Sequence, residues 1–173
     1  MSIAGSRKVT EKRKRVDNSQ WSAVSLRDVL YLRKVRNGQG VRNEAGDLPK
    51  IGLIEHLLWY ARNVNWIHQH SFIVYKDSRR AGYIRLAPIT LGAAEISIAL
   101  EPWAQGQGLG SHSLRWAVKN YAQISGLERI TARVDRENSR SIATFAGAGF
   151  VRLEEGSPGE TLLFTKFLDG QPG

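Results

Sequence analysis

The stretch that most limits what this chain can become is Ala94–Ser113, A-E-I-S-I-A-L-E-P-W-A-Q-G-Q-G-L-G-S-H-S. An apolar strand runs into a loop carrying Gly106, Gly108 and Gly110, and a helix leaves it. Glycines at alternate positions let the backbone bend sharply and turn successive N–H groups toward a ligand. The following helix adds unpaired N–H groups and a partial positive charge, which together make a cradle for phosphate. The strand, this helix and a later strand at Arg129–Val134 form a βαβ unit, which implies parallel pairing and a right-handed crossover.

Two common phosphate binders are excluded by the residues present. A P-loop needs Lys and then Ser or Thr after its last glycine, and Gly110 is followed by Ser111-His112. The dinucleotide pattern G-x-G-x-x-G fails in both frames, because Ser111 or Ser113 stands at the third glycine position. Glu128 lies near the spacing of a ribose-binding acid but precedes its strand.

The rest of the chain supplies a single α/β domain. At 173 residues, 42% of them apolar, there is enough chain for one core. Val29, Leu30 and Leu32, with Leu26, give an apolar helix face after the cap Ser25-x-x-Asp28, and the helix runs to about Val35. A polar loop covers 38–50. A second helix over about Ile51–Arg62 puts Ile54, Leu57, Leu58 and Ala61 on one face. Strands follow at Ser71–Lys76 and Gly82–Leu86, joined through Asp77-Ser78, and then at Ala94–Leu100. A helix from Gly108 to Ser125 ends before Gly126. Asn138 caps a short helix that reaches Ala148, a strand starts at Gly149–Val151, and Thr161–Phe167 is the last. A first strand falls within Lys14–Val24.

Charge and composition narrow the partners. The net charge is +9, and Arg7, Lys8, Lys12, Arg13, Lys14 and Arg15 stand against only Glu11 and Asp17 in the first twenty residues. This arm lacks interleaved aromatics, so residues 1–13 read as a solvated, flexible terminus rather than a nucleic-acid contact. With no cysteine there are no disulfides, thiolate metal sites or cysteine nucleophiles. No stretch approaches the ~20 apolar residues of a membrane span, and no signal core opens the sequence, so a cytoplasmic protein without membrane partners is expected.

Gln105-x-x-Gly108-x-Gly110 resembles the Q/R-x-x-G-x-G/A signature of the GCN5-related N-acetyltransferases (the GNAT superfamily). Asn138-x-x-Ser141-Ile142-x-x-Phe145-x-x-x-Gly149-Phe150 resembles a second motif of the same family at the expected distance, and the likeness extends from Trp21 to Phe167. The resemblance implies a central mixed, twisted sheet of about seven strands flanked by about four helices and splayed where acetyl-CoA binds. It implies acetyl-CoA as co-substrate, with no metal. The contacts it implies come from Ile98, Leu100, Gln105, Gly106, Gln107, Gly108, Leu109, Gly110, Ser111, Asn138, Ser141 and Phe145. The physical chemistry agrees. Amides of Gly106–Ser111 can hold a diphosphate, Glu95–Leu100 can pair with pantetheine as with a strand, and a backbone N–H near Leu100 can hold the oxyanion.

The acceptor side carries a narrower resemblance. Arg36-Asn37, Val41-Arg42, Glu55-His56, Trp59-Tyr60 and Gly82–Leu86 are similar to the N-acetyltransferases that modify the 4-amino group of a nucleotide-linked amino-deoxy sugar in pseudaminic acid biosynthesis. That likeness implies a pocket lined by Arg36, Asn37, Arg42, His56 and Tyr83. By residue type alone, Trp59 also suits the core, His56 a helix surface, and Arg42 and Arg85 solvated positions. Direct transfer needs a base for the attacking amine, for which Glu95 is the first candidate and His56 the second. The usual tyrosine acid of the family is replaced by Phe145, leaving Ser141, Tyr83 or water. A protein amine or an aminoglycoside is an alternative acceptor, a non-catalytic acyl-CoA sensor with a nucleic-acid-binding arm is a third possibility, and the chain is a monomer or homodimer.

Overall fold

The chain lays down β1 (Ser19–Ala23), a 3-10 turn (Leu26–Asp28), α1 (Val29–Arg36), α2 (Leu53–His70), β2 (Ser71–Lys76), β3 (Arg79–Thr90) and β4 (Ala93–Leu100). After a second 3-10 turn (Pro102–Ala104) come α3 (Leu109–Tyr121), β5 (Arg129–Asp135), α4 (Ser139–Gly147), β6 (Val151–Leu153) and β7 (Thr161–Phe167). This computed structural model describes residues 19–38, 50–124, 126–153 and 161–168. The basic arm 1–13 and Arg42 with most of the 38–50 loop lie outside the described residues. The helix expected to reach Ser125 ends at Tyr121, because Gln123 and Ile124 donate to carbonyls only three residues back and tighten the chain out of the helix.

The seven strands form one mixed sheet in the order β1-β2-β3-β4-β5-β7-β6. Every neighbouring pair is antiparallel except β4 and β5, the parallel pair expected of the βαβ unit. β2 and β3 are joined by Asp77 and Ser78, both at positive φ (50° and 60°), the backbone of a two-residue hairpin whose twist suits the strands.

One face of the sheet packs against α3 and α4. Ile84, Leu86, Ile96, Leu114, Ala117 and Ile130 are among its fully buried residues. At ~1.5–3 kcal/mol for each fully buried large aliphatic side chain, this face carries most of the driving force. The other face, over β2 and β3, is covered by α1 and α2 through Val29, Leu32, Tyr60, Ile67 and Ile73. The N-terminus of α1 is fixed by Asp28, whose carboxylate accepts from the N–H and hydroxyl of Ser25 and from Arg80 at 2.6 Å.

Three more expectations are corrected. First, α2 continues to His70 instead of stopping near Arg62. No glycine or proline interrupts residues 63–70. Ile67, seven positions after Tyr60, returns to the buried face, and the Trp66 indole donates to the Leu86 carbonyl at 2.6 Å. Second, β3 runs through Pro88 to Thr90. β2 begins at Ser71, opposite Arg85, so beyond Arg85 that side of β3 is an edge, where proline is tolerated. Third, the apolar faces of both early helices are rotated from the expected ones. Leu26 and Leu30 are exposed beside α1's buried Val29, Leu32 and Val35. On α2, Ile54 is 75% exposed while His56 is 4% exposed. The contacts of His56 and Tyr60 with α1 set α2's rotation, overriding the more apolar stripe.

Candidate active site

The defining feature is the seam between β4 and β5. They pair only at Ala93–Arg129, Ala94–Ile130 and Glu95–Thr131. Both strands continue for several residues beyond, so they splay. Glu101 N–H donates to Ala81 of β3 at 2.8 Å, and strand alternation turns the N–H and C=O of Leu100 the other way, toward the gap. The Leu100 carbonyl accepts from Gln105 Nε2 at 3.0 Å, while its N–H faces the gap. Gln105 also accepts through Oε1 from Arg140, so it brackets the end of β4 to the first turn of α4.

The glycine loop follows at once. Gly106 (φ 69°) and Gly108 (φ 78°) adopt left-handed backbone, and nothing lies within 4 Å of where a side chain would start. The loop therefore presents bare backbone to solvent at the N-terminus of α3. Gly110 is glycine for a different reason: a Cβ there would sit 2.9 Å from Thr144 Cγ2. Its absence lets α3 approach α4, where Ser111 Oγ donates to the Thr144 carbonyl at 2.9 Å. Asn138 caps α4 by accepting from Ser141 N–H at 2.9 Å.

A single cavity of about 760 Å³ joins this gap to a chamber under α1 and α2. Its cofactor-side wall includes Ile98, Leu100, Gln105, Gly106, Gly108, Gly110, Ser111, Asn138, Ser141 and Phe145. Leu109 and Gln107 do not line it. The Leu109 side chain is in the core, leaving only its backbone to the loop. Gln107 turns outward, donating to the Trp103 carbonyl at 2.6 Å and accepting from Lys76. Phe145 is buried edge-on against Phe150, so it offers an apolar wall and no proton.

The chamber collects Arg36, His56, Tyr83 and Glu95, together with Leu32, Trp59, Ile67, Ser71 and Arg85. His56 is not a surface residue. It is buried, its ring stacks near Trp59, and Nε2 lies 3.0 Å from the Val29 carbonyl. That carbonyl can only accept, so Nε2 carries the proton and Nδ1 keeps its lone pair in the neutral ring. Burial, with a smaller push from Arg33, holds His56 below the usual histidine range, though its bond to Val29 opposes the shift. Trp59 is a half-buried cavity wall rather than core, and the Arg85 guanidinium lies 5.5 Å over its ring.

Glu95 stands at the apex of the splay. Both Nε and Nη2 of Arg133 reach its Oε2, at 3.0 and 2.8 Å. Asn37, expected in the acceptor pocket, does not line the cavity. Its amide exchanges two hydrogen bonds with the backbone of Ile51 (2.9 and 3.0 Å), pinning the start of α2 to the end of α1. Arg85, expected at a solvated position, lines the cavity instead, and Arg133 and Ser71 join it without having been singled out in the sequence. The period of two supplies the missing signal for Arg85, because it shares a strand face with Tyr83.

Residues 44–150 match the model of the acetyltransferase (GNAT) family. The spermidine N(1)-acetyltransferase of Escherichia coli (strain K12) is 25% identical over 146 residues, 83% of this chain and 75% of that protein. The structure of spermidine N-acetyltransferase from Vibrio cholerae in complex with CoA and spermine superposes with a TM-score of 0.75 at 18% identity, covering 87% of this chain and 96% of that one. The yncA protein of Salmonella typhimurium with its cofactor acetyl-CoA gives a TM-score of 0.72 at 17% identity, over 90% and 97%. At these structural identities the likeness is one of fold.

Proposed function

Because the chain belongs to the acetyltransferase (GNAT) family and is an acetyl-CoA-dependent N-acetyltransferase, we propose that its acceptor is a small-molecule primary amine: the 4-amino group of a nucleotide-linked amino-deoxy sugar. The observation that carries this reading is the continuity of the β4–β5 gap with the chamber under α1 and α2. The chamber holds Arg36, His56 and Tyr83, three of the residues on which the amino-sugar likeness rests. A cavity of about 760 Å³ is of the size that takes a small molecule, and Trp59 and Tyr83 offer ring faces for a sugar or base.

In the proposed reaction the loop amides from Gly106 to Ser111 hold the diphosphate of acetyl-CoA, and the gap takes its pantetheine arm. The neutral amine attacks the thioester carbonyl carbon. A C–N bond forms, the C–S bond breaks, and CoA leaves as thiolate. The Leu100 N–H stabilises the developing oxyanion. The amine's proton passes to Glu95, directly or through water, with His56 Nδ1 as the second acceptor. Phe145 cannot donate to the leaving sulfur. A thiol's reference pKa of ~8.5 makes unassisted departure tolerable.

The test is mass spectrometry of a panel of nucleotide-linked amino sugars incubated with enzyme and acetyl-CoA. Gain of one acetyl group with stoichiometric thiol release is expected. No turnover across the panel, with label from acetyl-CoA passing instead into lysate protein, would overturn the small-molecule reading.

A further inference from the structure

At the acceptor end of the cavity two cations meet without a described anion to pair them. Arg36 reaches in from the last turn of α1, and Arg85 from β3, two residues after Tyr83 and on the same face. Arg36 Nη1 is buried with no hydrogen-bond partner. Arg85 lies over the ring of Trp59. Both guanidiniums are close enough for their charge to act on the Tyr83 phenol, although burial dominates and holds that phenol above its usual range, so it stays a hydroxyl donor. Among the described residues, the ion pairs are Lys34–Glu101, Arg80–Asp28 and Arg133–Glu95. The remaining carboxylate on this wall, Glu55, is turned back toward the Gly52 N–H at 3.4 Å.

Two guanidiniums and a phenol lining one cavity, with one guanidinium nitrogen buried and unpaired, is a costly arrangement unless an anion offsets it. We propose that Arg36, Arg85 and Tyr83 form an oxyanion subsite that holds a phosphate group of the acceptor while its amine reaches the thioester. This rests on the chamber being the acceptor site, and it sets the chain apart from relatives named for spermidine. A polyamine would bring its own positive charges against two arginines. A phosphate offers a charge that two guanidiniums match, and oxygens enough for the phenol as well.

The test uses enzyme saturated with CoA, so that the loop cradle is filled, and titrates inorganic pyrophosphate by calorimetry. Binding is expected in the wild type. It should be weaker by about ten- to a hundredfold in Arg36→Gln and in Arg85→Gln. Unchanged CoA affinity in both variants establishes that they are folded. Lys34→Gln, which removes an exposed charge paired to Glu101 outside the chamber, should leave pyrophosphate binding as it was. Equal weakening by Lys34→Gln would mean general electrostatics and overturn the subsite, as would binding indifferent to both arginine variants. Succinate binding tighter than pyrophosphate would overturn the phosphate assignment, and preferred turnover of spermidine would overturn the anionic acceptor. If pyrophosphate binds as expected but no nucleotide-linked sugar is acetylated, the subsite stands and the sugar falls.

Discussion

The two halves of the cavity are built by different means. The half proposed for the cofactor is mostly backbone: diverging strands, left-handed glycines, a helix N-terminus and a capped short helix, all within residues 94–147. The half proposed for the acceptor is mostly side chains, brought together from α1, α2 and β3. A pocket made of backbone tolerates many side chains around it and holds one kind of ligand. A pocket made of side chains can change its ligand by substitution without touching the fold. The GNAT frame and the cofactor are therefore shared with relatives, while the acceptor has to be argued from this chain's own arginines.

The two halves meet at Glu95, at the apex of the splay. Glu95→Gln keeps the shape but removes the carboxylate, and kcat/KM should fall by ~10²- to 10⁴-fold with KM for acetyl-CoA nearly unchanged, as read by thiol release. A loss of less than tenfold would move the base elsewhere. On the cofactor side, Gly110→Ala forces a methyl to 2.9 Å from Thr144 Cγ2. It should cost about 1–3 kcal/mol in urea unfolding and raise KM for acetyl-CoA. Unaltered stability would show that α3 and α4 can separate freely.

On the acceptor side, His56→Gln should lower turnover less than Glu95→Gln does, and it carries a pH signature. Burial depresses the folded-state pKa of His56 below its reference 6.5. The unfolded chain then binds the proton more readily, so the stability contribution is present above about pH 6.5 and declines as pH falls below it. His70 and His112 are depressed by burial in the same direction. Melting temperatures between pH 7.5 and 5 should drop less steeply in His56→Gln than in the wild type. An unchanged slope would assign the effect to the other two. The smallest effect is expected at Ile54→Glu on α2's exposed face, within about 0.5 kcal/mol of wild type. A larger loss, or a change in sedimentation, would mean that this face is covered in solution.

These contrasts explain what could be read from the sequence. Glycine spacing, the Asn138 cap and the apolar run of β4 act over a few residues, so the loop, the capped helix and the βαβ unit were legible in residue order, while the gap followed from the family resemblance and the α3–α4 contact through Gly110 and Thr144 emerges only in the fold. α2 was not. Periodicity chose Ile54, Leu57 and Leu58 for the core, because a hydrophobic count cannot register a histidine bonded to the Val29 carbonyl 27 positions earlier. Asn37 was assigned to the pocket from neighbouring motif residues, yet its amide is consumed by Ile51.

The short seam has a mechanical meaning. β1 to β4 and β5 to β6 are two half-sheets joined along the sheet by three residue pairs. Beyond Glu95 and Thr131, amides and carbonyls on facing strands look across a gap instead of at one another. A molecule whose own amides span that gap does the work of a strand, knitting the halves into one cooperative unit. Ligand occupancy and cohesion of the fold then become linked quantities, so that a hundredfold excess of ligand over its Kd adds about 2.7 kcal/mol to the unfolding free energy. The slowest amide exchange gained on loading should appear along the inner edges of β4 and β5, far from either end of the chain.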